Sequence, residues 1–354
     1  MGYNEVMIEI DGSMGEGGGQ ILRTACALSA ITKKSCHIFN IRNNRSNPGL
    51  KAQHLWAIRS LAELSKAELR GAAINSKKIW FSPEEIESRD INIKIDTAGS
   101  ITLILQALIP VCLFAQSPVK ISFKGGATDT FFSPTFDYFN HVFLRILEGI
   151  GIKAETKILK RGYYPEGEAQ VEIVISPSKI KKIDLTERGN LKRILAISRA
   201  SERLKEKKVV EMQLAGVKEV LGKLNLPIEE KKEYHQSRSL GSSICLAAEF
   251  ENTIIGSDSL GKLGKSAEQI GIEAALQLLK EQKSNACLDE HLADQILPYM
   301  ALGFKKSRIT VPEITEHLKT NIQVIEKFFK GTFEIKNCLE QQNKFLISWV
   351  PENN

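Results

Sequence analysis

The sequence predicts an α/β (α+β) fold in which three βαβαββ-type repeats form a large domain that carries an inserted smaller α/β domain. Two observations support this prediction. Strand and helix patterns alternate in the same order three times along the chain. The first helices of the first two repeats begin near Gln20 and Ser100, whereas that of the third begins near His291, more than twice that interval later. The excess length predicts an insertion between the second and third repeats.

The elements of the first two repeats follow one order. Each repeat has an alternating strand, a helix, a strand, a loop, a second helix and a hairpin. In the first repeat these elements cover residues 5–13, 19–31, 35–41, 42–49, 50–64 and 67–82. In the second they cover residues 91–100, 101–114, 119–123, 124–134, 135–150 and 153–176.

The third repeat is shorter, with a helix, a strand, a loop, a helix and a hairpin at residues 291–304, 307–311, 312–315, 316–330 and 332–350. We therefore assign residues 1–180 and 286–354 to the large repeat domain and residues 181–285 to the inserted domain. Within the insertion, we interpret residues 190–207 as a helix and residues 209–215 as a strand.

Composition excludes several classes of protein. The chain is 42% hydrophobic and 25% charged, which is typical of globular proteins. It contains no apolar run long enough for a membrane helix and no secretory signal, so we expect a cytoplasmic protein with no membrane partner. The cysteines form no CxxC pair, which argues against a zinc site or a disulfide framework; they are Cys26, Cys36, Cys112, Cys245, Cys287 and Cys338.

The net charge of +6 is modest, but its distribution is uneven. No Asp or Glu occurs from Gly17 to Ala62, although a quarter of the chain is charged. A window with only positive charge favours a polyanionic ligand over an ordinary solvated face. Its basic residues are Arg23, Lys33, Lys34, Arg42, Arg45, Lys51 and Arg59.

Two loops in or beside this window resemble anion-binding loops. The glycine-rich segment 12–20 lies between a strand and a helix, where backbone N–H groups can converge on phosphate. It lacks the GK[ST] of a Walker motif. Glu16 would lie badly among phosphates unless a divalent cation separated them, so it favours a metal–phosphate site. In the loop at residues 42–49, Arg42 and Arg45 could bracket phosphates.

Histidines mark equivalent places in two repeats. His54 and His317 both lie at the start of the second helix of their repeat, so they could converge on one ligand. A helix N-terminus lowers the pKa of an imidazole and favours its neutral, nucleophilic form. His291 and Asp294 share one face of another helix start, and for them metal ligation stays open.

Five segments together resemble the RNA 3′-terminal phosphate cyclase family, in family order and over nearly the whole chain. They are DGSMGEGGGQILRTACALS, RSNPGLKAQHL, GSITLILQALIP, SLGKLGKSAEQIG and HLADQILPYMAL. The resemblance implies the three-repeat fold with an inserted domain. It also implies an ATP-dependent reaction, through an adenylyl-histidine and an RNA-adenylate, that converts an RNA 3′-phosphate into a 2′,3′-cyclic phosphodiester and releases AMP and pyrophosphate.

The resemblance also implies roles for residues of this chain. His317 matches the adenylylated histidine, and Glu16 matches the position of a Mg or Mn ion. The ATP-binding positions match Gln106, Pro134, His291, Leu292, Ala293, Asp294 and Gln295. The positions that bind phosphates and the RNA end match Arg23, Arg42, Arg45, Gln53 and His54. The partners implied are ATP and an RNA with a 3′-phosphate, with no requirement for DNA.

One departure and one alternative accompany the resemblance. The family commonly has GYYP-x-GGG in the second hairpin, whereas residues 162–169 read GYYPEGEA, which leaves the role of this turn open. The alternative function is that of a non-catalytic RNA-binding factor in ribosome assembly on the same fold. The presence of His317 argues against that alternative.

Overall fold

The computed structural model describes residues 7–224, 227–338 and 344–352. It contains four four-stranded sheets with helices between them. In three of the sheets the strands lie in the order first, second, fourth, third along the chain, with the first two parallel and the other neighbouring pairs antiparallel. The predicted fold class is confirmed.

The first repeat forms a sheet of order β1-β2-β4-β3. Alternating apolar residues turn one face of this sheet toward the helices; on β2, for example, Cys36 and Ile38 are buried. The elements are β1 (Ile8–Asp11), α1 (Gly19–Thr32), β2 (Cys36–Phe39), α2 (Ala52–Leu64), β3 (Glu68–Arg70) and β4 (Ile79–Ser82).

The second repeat forms a sheet of order β5-β6-β8-β7. Its first helix is apolar nearly all round, because it packs between the other repeats. The elements are β5 (Ile91–Ser100), α3 (Ile101–Cys112), β6 (Val119–Ala127), α4 (Phe136–Tyr138), a π-helical segment (Phe139–Phe143), α5 (Leu144–Gly149), β7 (Ala154–Lys160) and β8 (Gln170–Ile175).

The third repeat forms a sheet of order β9-β14-β16-β15, and its first strand precedes the insertion. That strand, Asp184–Leu185, lies within the segment that the predicted boundary assigns to the inserted domain, yet it pairs with β14. Two residues are too few for a periodic signal, which is why the sequence does not reveal this strand. The elements are β9 (Asp184–Leu185), α8 (Glu290–Leu302), β14 (Ser307–Val311), α9 (Glu316–Phe328), β15 (Gly331–Asn337) and β16 (Phe345–Pro351).

The insertion forms the fourth sheet, of order β11-β10-β12-β13, covered by two helices. Two predictions within it are wrong, because residues 191–201 form a strand and residues 209–221 form a helix. The elements are β10 (Leu191–Ser201), α6 (Val209–Leu221), β11 (Ile228–His235), β12 (Ser242–Phe250), β13 (Ile254–Leu260) and α7 (Ala267–Lys283).

The helices of the three repeats pack on one another in a single core, and most of the insertion has a core of its own. Within this packing α1 contacts α2, α3 and α9, while α9 also contacts α8. Helices from all three repeats are thereby brought together around α1. Throughout the described residues, every helix is too short or too polar to cross a bilayer.

Candidate active site

The glycine-rich loop between β1 and α1 approaches two histidines from other helices. Gly15 has a φ of 52°, in the left-handed region, and a Cβ there would lie 2.3 Å from Thr320 Oγ1. At Gly19 a Cβ would lie 2.1 Å from His54 Nε2. A Cβ at Gly18 would lie 3.5 Å from His317 Cε1. Glycine is therefore needed here so that the backbone can pack closely against α2 and α9.

His317 is the second residue of α9 and is held by Gln20 of α1. The Gln20 Nε2 amide donates to the His317 carbonyl at 2.6 Å, and this contact places Gln20 Oε1 against His317 Nδ1. Because Oε1 can only accept, Nδ1 carries a proton. In the neutral ring the lone pair is then on Nε2. Thr315 caps the helix by accepting from the Leu318 backbone N–H.

The Nε2 atom of His317 faces a carboxylate. Glu16 Oε2 lies 3.0 Å from His317 Nε2 and 2.9 Å from an Arg45 nitrogen. Burial lowers the pKa of His317, Glu16 opposes that effect, and Arg45 and Arg23 reinforce it, so the pKa lies below its usual value. The lowered pKa favours the neutral imidazole, whereas the contact with Glu16 favours a proton on Nε2 and therefore opposes it.

His54, the equivalent residue of α2, has a different environment. Its side chain is buried, and Nδ1 accepts from the Lys51 backbone N–H at 3.2 Å. The proton of the neutral ring is therefore on Nε2, which faces Gly19. Burial, together with the charges of Arg23, Arg42 and Lys51, lowers the pKa of His54 to about 3. His54 is thus neutral at pH 7 and acts as a donor.

The loop at residues 42–49, here called the arginine loop, is held partly by the guanidinium group of Arg42. Arg42 donates to the carbonyl oxygens of Asn47 and Gly49 at 2.8 and 2.9 Å. Burial and the neighbouring Arg45 lower its pKa. Gln53, at the start of α2, accepts from the Ser100 backbone N–H at 3.1 Å, which joins the N-termini of α2 and α3.

A narrow cleft of about 60 Å³ opens between α1, α3, α8 and α9. Its lining combines polar and charged side chains with apolar ones. Its lining residues are Gln20, Arg23, Thr24, Ala27, Leu28, Gln106, Pro110, Phe143, Asp294, Gln295, Pro298, Tyr299 and Asn321.

The cleft brings together several of the predicted ATP-binding positions. Gln106 Nε2 donates to Gln295 Oε1 at 3.0 Å, and Gln295 Nε2 donates to the His291 carbonyl at 2.8 Å. Burial raises the pKa of Asp294 to about 7, and burial lowers that of Arg23 to about 10. His291 and Pro134 do not line the cleft; the carbonyl of Pro134 accepts from Thr102 at 3.0 Å. Leu292 and Ala293 are buried in the core.

Comparison with known proteins identifies the family of this chain. A model of the family described as RNA 3′-terminal phosphate cyclase matches residues 14–335, which is most of the chain. The chain belongs to the RNA 3′-terminal phosphate cyclase family. The prediction from the motifs is therefore confirmed.

Archaeal relatives with the same printed name, RNA 3′-terminal phosphate cyclase, align over almost their full length. The relative from Pyrococcus furiosus is 46% identical over 342 residues, which are 96% of this chain and 98% of the relative. The relative from Saccharolobus solfataricus is 45% identical over 331 residues, covering 93% and 96%. The prediction that this cyclase-family chain is an enzyme is confirmed.

Sequence reasoning missed the buried polar network that holds the start of α8 beside the cleft. Asp289 caps α8 by accepting from the Leu292 N–H at 2.9 Å, and it also accepts from Tyr138 Oη at 2.6 Å and from the Gly256 N–H at 2.8 Å. Gly256 belongs to the insertion, so the inserted domain helps to fix the start of α8. An Asp one residue before a helix was the only available signal.

The single carboxylate of Glu16 suits a cation that is also bound by substrate phosphates, rather than one bound by protein side chains alone. The described residues contain no group of three or more His, Cys, Asp or Glu side chains that could hold a metal ion. Mg²⁺ commonly needs only one or two carboxylates when phosphate oxygens and water complete its shell. Glu16 fits that role as a single carboxylate beside the proposed phosphate site.

Proposed function

We propose that this chain converts the 3′-terminal phosphate of an RNA into a 2′,3′-cyclic phosphodiester at the expense of ATP. The observation that carries the proposal is the orientation of His317. Its Nδ1 proton is committed to Gln20, and its Nε2 lone pair points toward the Glu16 carboxylate. A neutral, oriented imidazole at a helix N-terminus is a nucleophile suited to phosphorus.

The reaction has three steps. Nε2 of His317 attacks the α-phosphorus of ATP, the bond to the β-phosphate oxygen breaks and pyrophosphate leaves. An oxygen of the RNA 3′-phosphate then attacks the adenylyl phosphorus, and the bond to Nε2 breaks. The neighbouring 2′-hydroxyl attacks the activated 3′-phosphate, loses its proton and displaces AMP. The histidine returns to its first state after each cycle.

Gln20 has a definite part in this sequence. As the N–P bond forms at Nε2, positive charge develops on the ring, and the Nδ1–H···Oε1 bond to Gln20 stabilises it. The Gln20 side chain is anchored at its other end by the His317 carbonyl. The ring is therefore held in its reactive tautomer and orientation before ATP arrives.

The cleft supplies the ATP site. Gln106, Asp294 and Gln295 offer polar contacts on one wall, and Arg23 supplies positive charge near the buried end. Pro134 and His291 stand outside this cleft and would contact the part of the nucleotide that extends beyond it. Leu292 and Ala293 support the start of α8 by packing in the core.

A Mg or Mn ion is part of the proposal. When bound by Glu16 together with ATP phosphate oxygens, the ion would offset phosphate charge during nucleotidyl transfer. Glu16 must then turn away from His317 Nε2, because its carboxylate occupies the space that the α-phosphorus needs when Nε2 attacks it. This exchange of partners is possible since the Glu16 side chain is 43% exposed.

The RNA end is assigned to the arginine loop. Arg45 is 40% exposed and, among the described residues, forms an ion pair only with Glu16, so it becomes available when Glu16 turns toward a metal ion. His54 presents its Nε2–H toward the glycine-rich loop, and Gln53 lies beside the start of α3. Arg42 keeps the loop in shape through its two carbonyl contacts.

The test is covalent labelling with α-labelled ATP and Mg²⁺ or Mn²⁺. Wild type should acquire acid-labile label. Labelling of His317→Asn should be at least about 1000-fold lower, because the nucleophile is gone. The matched control is His37→Asn, on the sheet of the first repeat, which should label normally. Equal labelling of His317→Asn would contradict the adenylylation step.

A second measurement separates the activity from the alternative function. A 3′-phosphorylated oligoribonucleotide incubated with the protein and ATP should become resistant to phosphatase. RNA binding without labelling and without phosphatase resistance would instead support the ribosome-assembly role.

A further inference from the structure

A row of basic side chains crosses the exposed face of the second sheet. In the β5–β6 register Lys94 lies opposite Lys124, and in the β6–β8 register Lys124 lies opposite Gln170. Gln170 in turn lies opposite Lys160 of β7. One row across four strands thus holds three ammonium groups, one amide and no carboxylate.

This row has a cost in stability. Like charges directly opposite on neighbouring strands are destabilising. The charge of Lys160 is offset by Glu168, 3.1 Å away, and the charge of Lys94 is offset only weakly by Asp96, 3.9 Å away. Lys124 forms no ion pair with any residue that the structure describes. The row therefore holds uncompensated positive charge.

The neighbouring row on the same face is built differently. It contains Asn92, Ser122, Glu172 and Lys157, in which one acid faces one base. The imbalance is thus confined to the row that contains Lys94 and Lys124 and is not a property of the whole sheet.

The basic row forms the floor of a trough of about 630 Å³, here called the basic trough. Arg238 of the insertion reaches its rim, where it is 2.5 Å from Glu166 and also pairs with Glu168. The acidic residues of the altered hairpin turn are therefore engaged by bases. Its lining residues are Lys94, Ile95, Asp96, Thr97, Lys124, Gly125, Lys160, Pro165, Glu166, Glu168, Ala169, Gln170 and Arg238.

The basic trough lies beside the proposed site for the RNA end. Thr97 and Gln53 both lie within 4 Å of the position that a Cβ on Gly99 would take. Ser100, the next residue, donates to Gln53. The side chains that line the trough and those at the start of α2 are therefore close neighbours.

An exposed aromatic ring directly precedes Pro165, which lines the trough. Tyr164 is 57% exposed and makes an edge contact with Phe131 at 5.8 Å between ring centroids. Exposed aromatic rings beside basic residues are a common means of binding single-stranded nucleic acid, because bases stack on the rings while cations neutralise phosphates.

We propose that the basic trough binds the RNA body, with Lys94 and Lys124 contacting backbone phosphates upstream of the 3′ end. The proposal rests on the proposed function, because the RNA is taken to enter from the arginine loop. The row spans about 14 Å, three strand spacings, which is room for about two phosphates. The surface recognises charge and not base sequence.

The test compares a long and a short substrate with the variant Lys94→Ala/Lys124→Ala. The long substrate is a 3′-phosphorylated oligoribonucleotide of about 16 nucleotides, and the short one is a dinucleotide 3′-phosphate that cannot reach the trough. We expect affinity for the long RNA to fall about 10-fold at low salt. The slope of log K against log salt should become shallower by about 1.4, for two phosphates on a single strand.

Two measurements should be unchanged in this variant, cyclisation of the dinucleotide and labelling by ATP, and the melting temperature should not fall, because two like charges that face each other are removed. The matched control is Lys305→Ala/Lys306→Ala, which removes equal charge from an exposed loop of the third repeat. Equal losses in both variants would show attraction by net charge alone and would overturn the proposal, as would unchanged binding of the long RNA by Lys94→Ala/Lys124→Ala.

These readouts separate the two proposals. Failure of wild type to label or to cyclise either RNA contradicts the proposed function, whereas the salt dependence of long-RNA binding still decides whether the basic trough is used. Equal loss of dinucleotide cyclisation and long-RNA binding would contradict the trough assignment, since the dinucleotide does not extend that far.

Discussion

Two regions beside the cleft are held in different ways. The reactive end, comprising Glu16, Arg45 and His317, is about 40% exposed and held by a few side-chain contacts, one of them to the buried Gln20. The proposed nucleotide end, at Asp289–Gln295, starts from a carboxylate that is 1% exposed and tied to three elements. Exposed ion pairs contribute little to stability, whereas a buried acceptor that loses its donors is costly.

The difference shows which part of the site the fold holds rigid. Groups that must exchange partners during a reaction cannot be locked in a buried network. The nucleotide end has no such need, and the inserted domain helps to hold it through Gly256 and Glu281. Substitutions at the nucleotide end should therefore reduce stability, and those at the reactive end should reduce activity more than stability.

The largest effect on stability is expected from Asp289→Ala. This change removes the cap of α8 and leaves the Tyr138 hydroxyl and the Gly256 N–H without their buried acceptor. We expect the free energy of unfolding to fall by about 3 kcal/mol or more, measured by urea denaturation. The control Ser266→Ala removes an exposed cap from α7 and should cost about 1 kcal/mol. Similar costs for the two would contradict the role of the network.

Glu281→Gln should change the pH dependence of stability. Glu281 is buried and accepts from the Glu290 N–H at 3.1 Å. Burial raises the pKa of Glu281 to about 7. Between about pH 4.5 and 7 the folded state keeps a proton that the unfolded state releases, so this group's stability contribution is complete below pH 4.5 and is lost as pH rises through 7.

Wild type should therefore lose stability relative to Glu281→Gln, on the order of 3 kcal/mol, between pH 4.5 and 7. Urea denaturation at several pH values measures this difference. The control Glu273→Gln, on the exposed face of the same helix, should keep the wild-type dependence. Parallel curves for wild type and Glu281→Gln would show that Glu281 titrates normally.

Gly19→Ala tests the close approach at the reactive end. The new methyl group would meet His54, so α1 or α2 must shift, at a cost of about 1–3 kcal/mol. Labelling by ATP should fall further than the loss of folded protein explains, because a shift of α1 also moves Gln20, which holds His317. The control is Gly149→Ala, where a Cβ meets nothing within 4 Å and stability should be unchanged or slightly higher.

The smallest effect on stability is expected from Arg45→Gln, which removes an exposed ion pair. The free energy of unfolding should change by less than about 1 kcal/mol, while affinity for a 3′-phosphorylated RNA should fall by about 10-fold or more. Arg308→Gln, which breaks a comparably exposed pair with Asp184, should match the stability change and leave RNA affinity intact. Equal RNA affinity for the two variants would exclude Arg45 from the phosphate site.

Prediction from the sequence worked best where periodicity is regular. The repeat helices and hairpins appear where the patterns place them, because each buries one face against the same kind of neighbour. It failed at residues 191–201, which were interpreted as helical. That segment is β10, a central strand packed on both sides, and its apolar residues do not alternate regularly.

The opposite error at residues 209–215 has a related cause. Val209 and Val210 suggest a strand, but Val210, Leu214, Val217 and Leu221 recur at helical spacing and face the inserted sheet. Preference for strand at two β-branched residues was outweighed by burial of a helical face. Short-range composition decides little when tertiary packing offers more buried area.

The sequence by itself determined the three-repeat plan, the basic window and the histidine at the start of each of two helices, because these depend on periodicity, charge and position along the chain. Only the tertiary structure decided how the two histidines differ. His317 is partly exposed, with Nδ1 held by Gln20 and Nε2 facing the exposed Glu16, whereas His54 is buried with Nδ1 occupied by the Lys51 backbone. Contacts from residues distant in sequence set the tautomer and solvent access of a ring, and equivalent positions in two repeats do not share them.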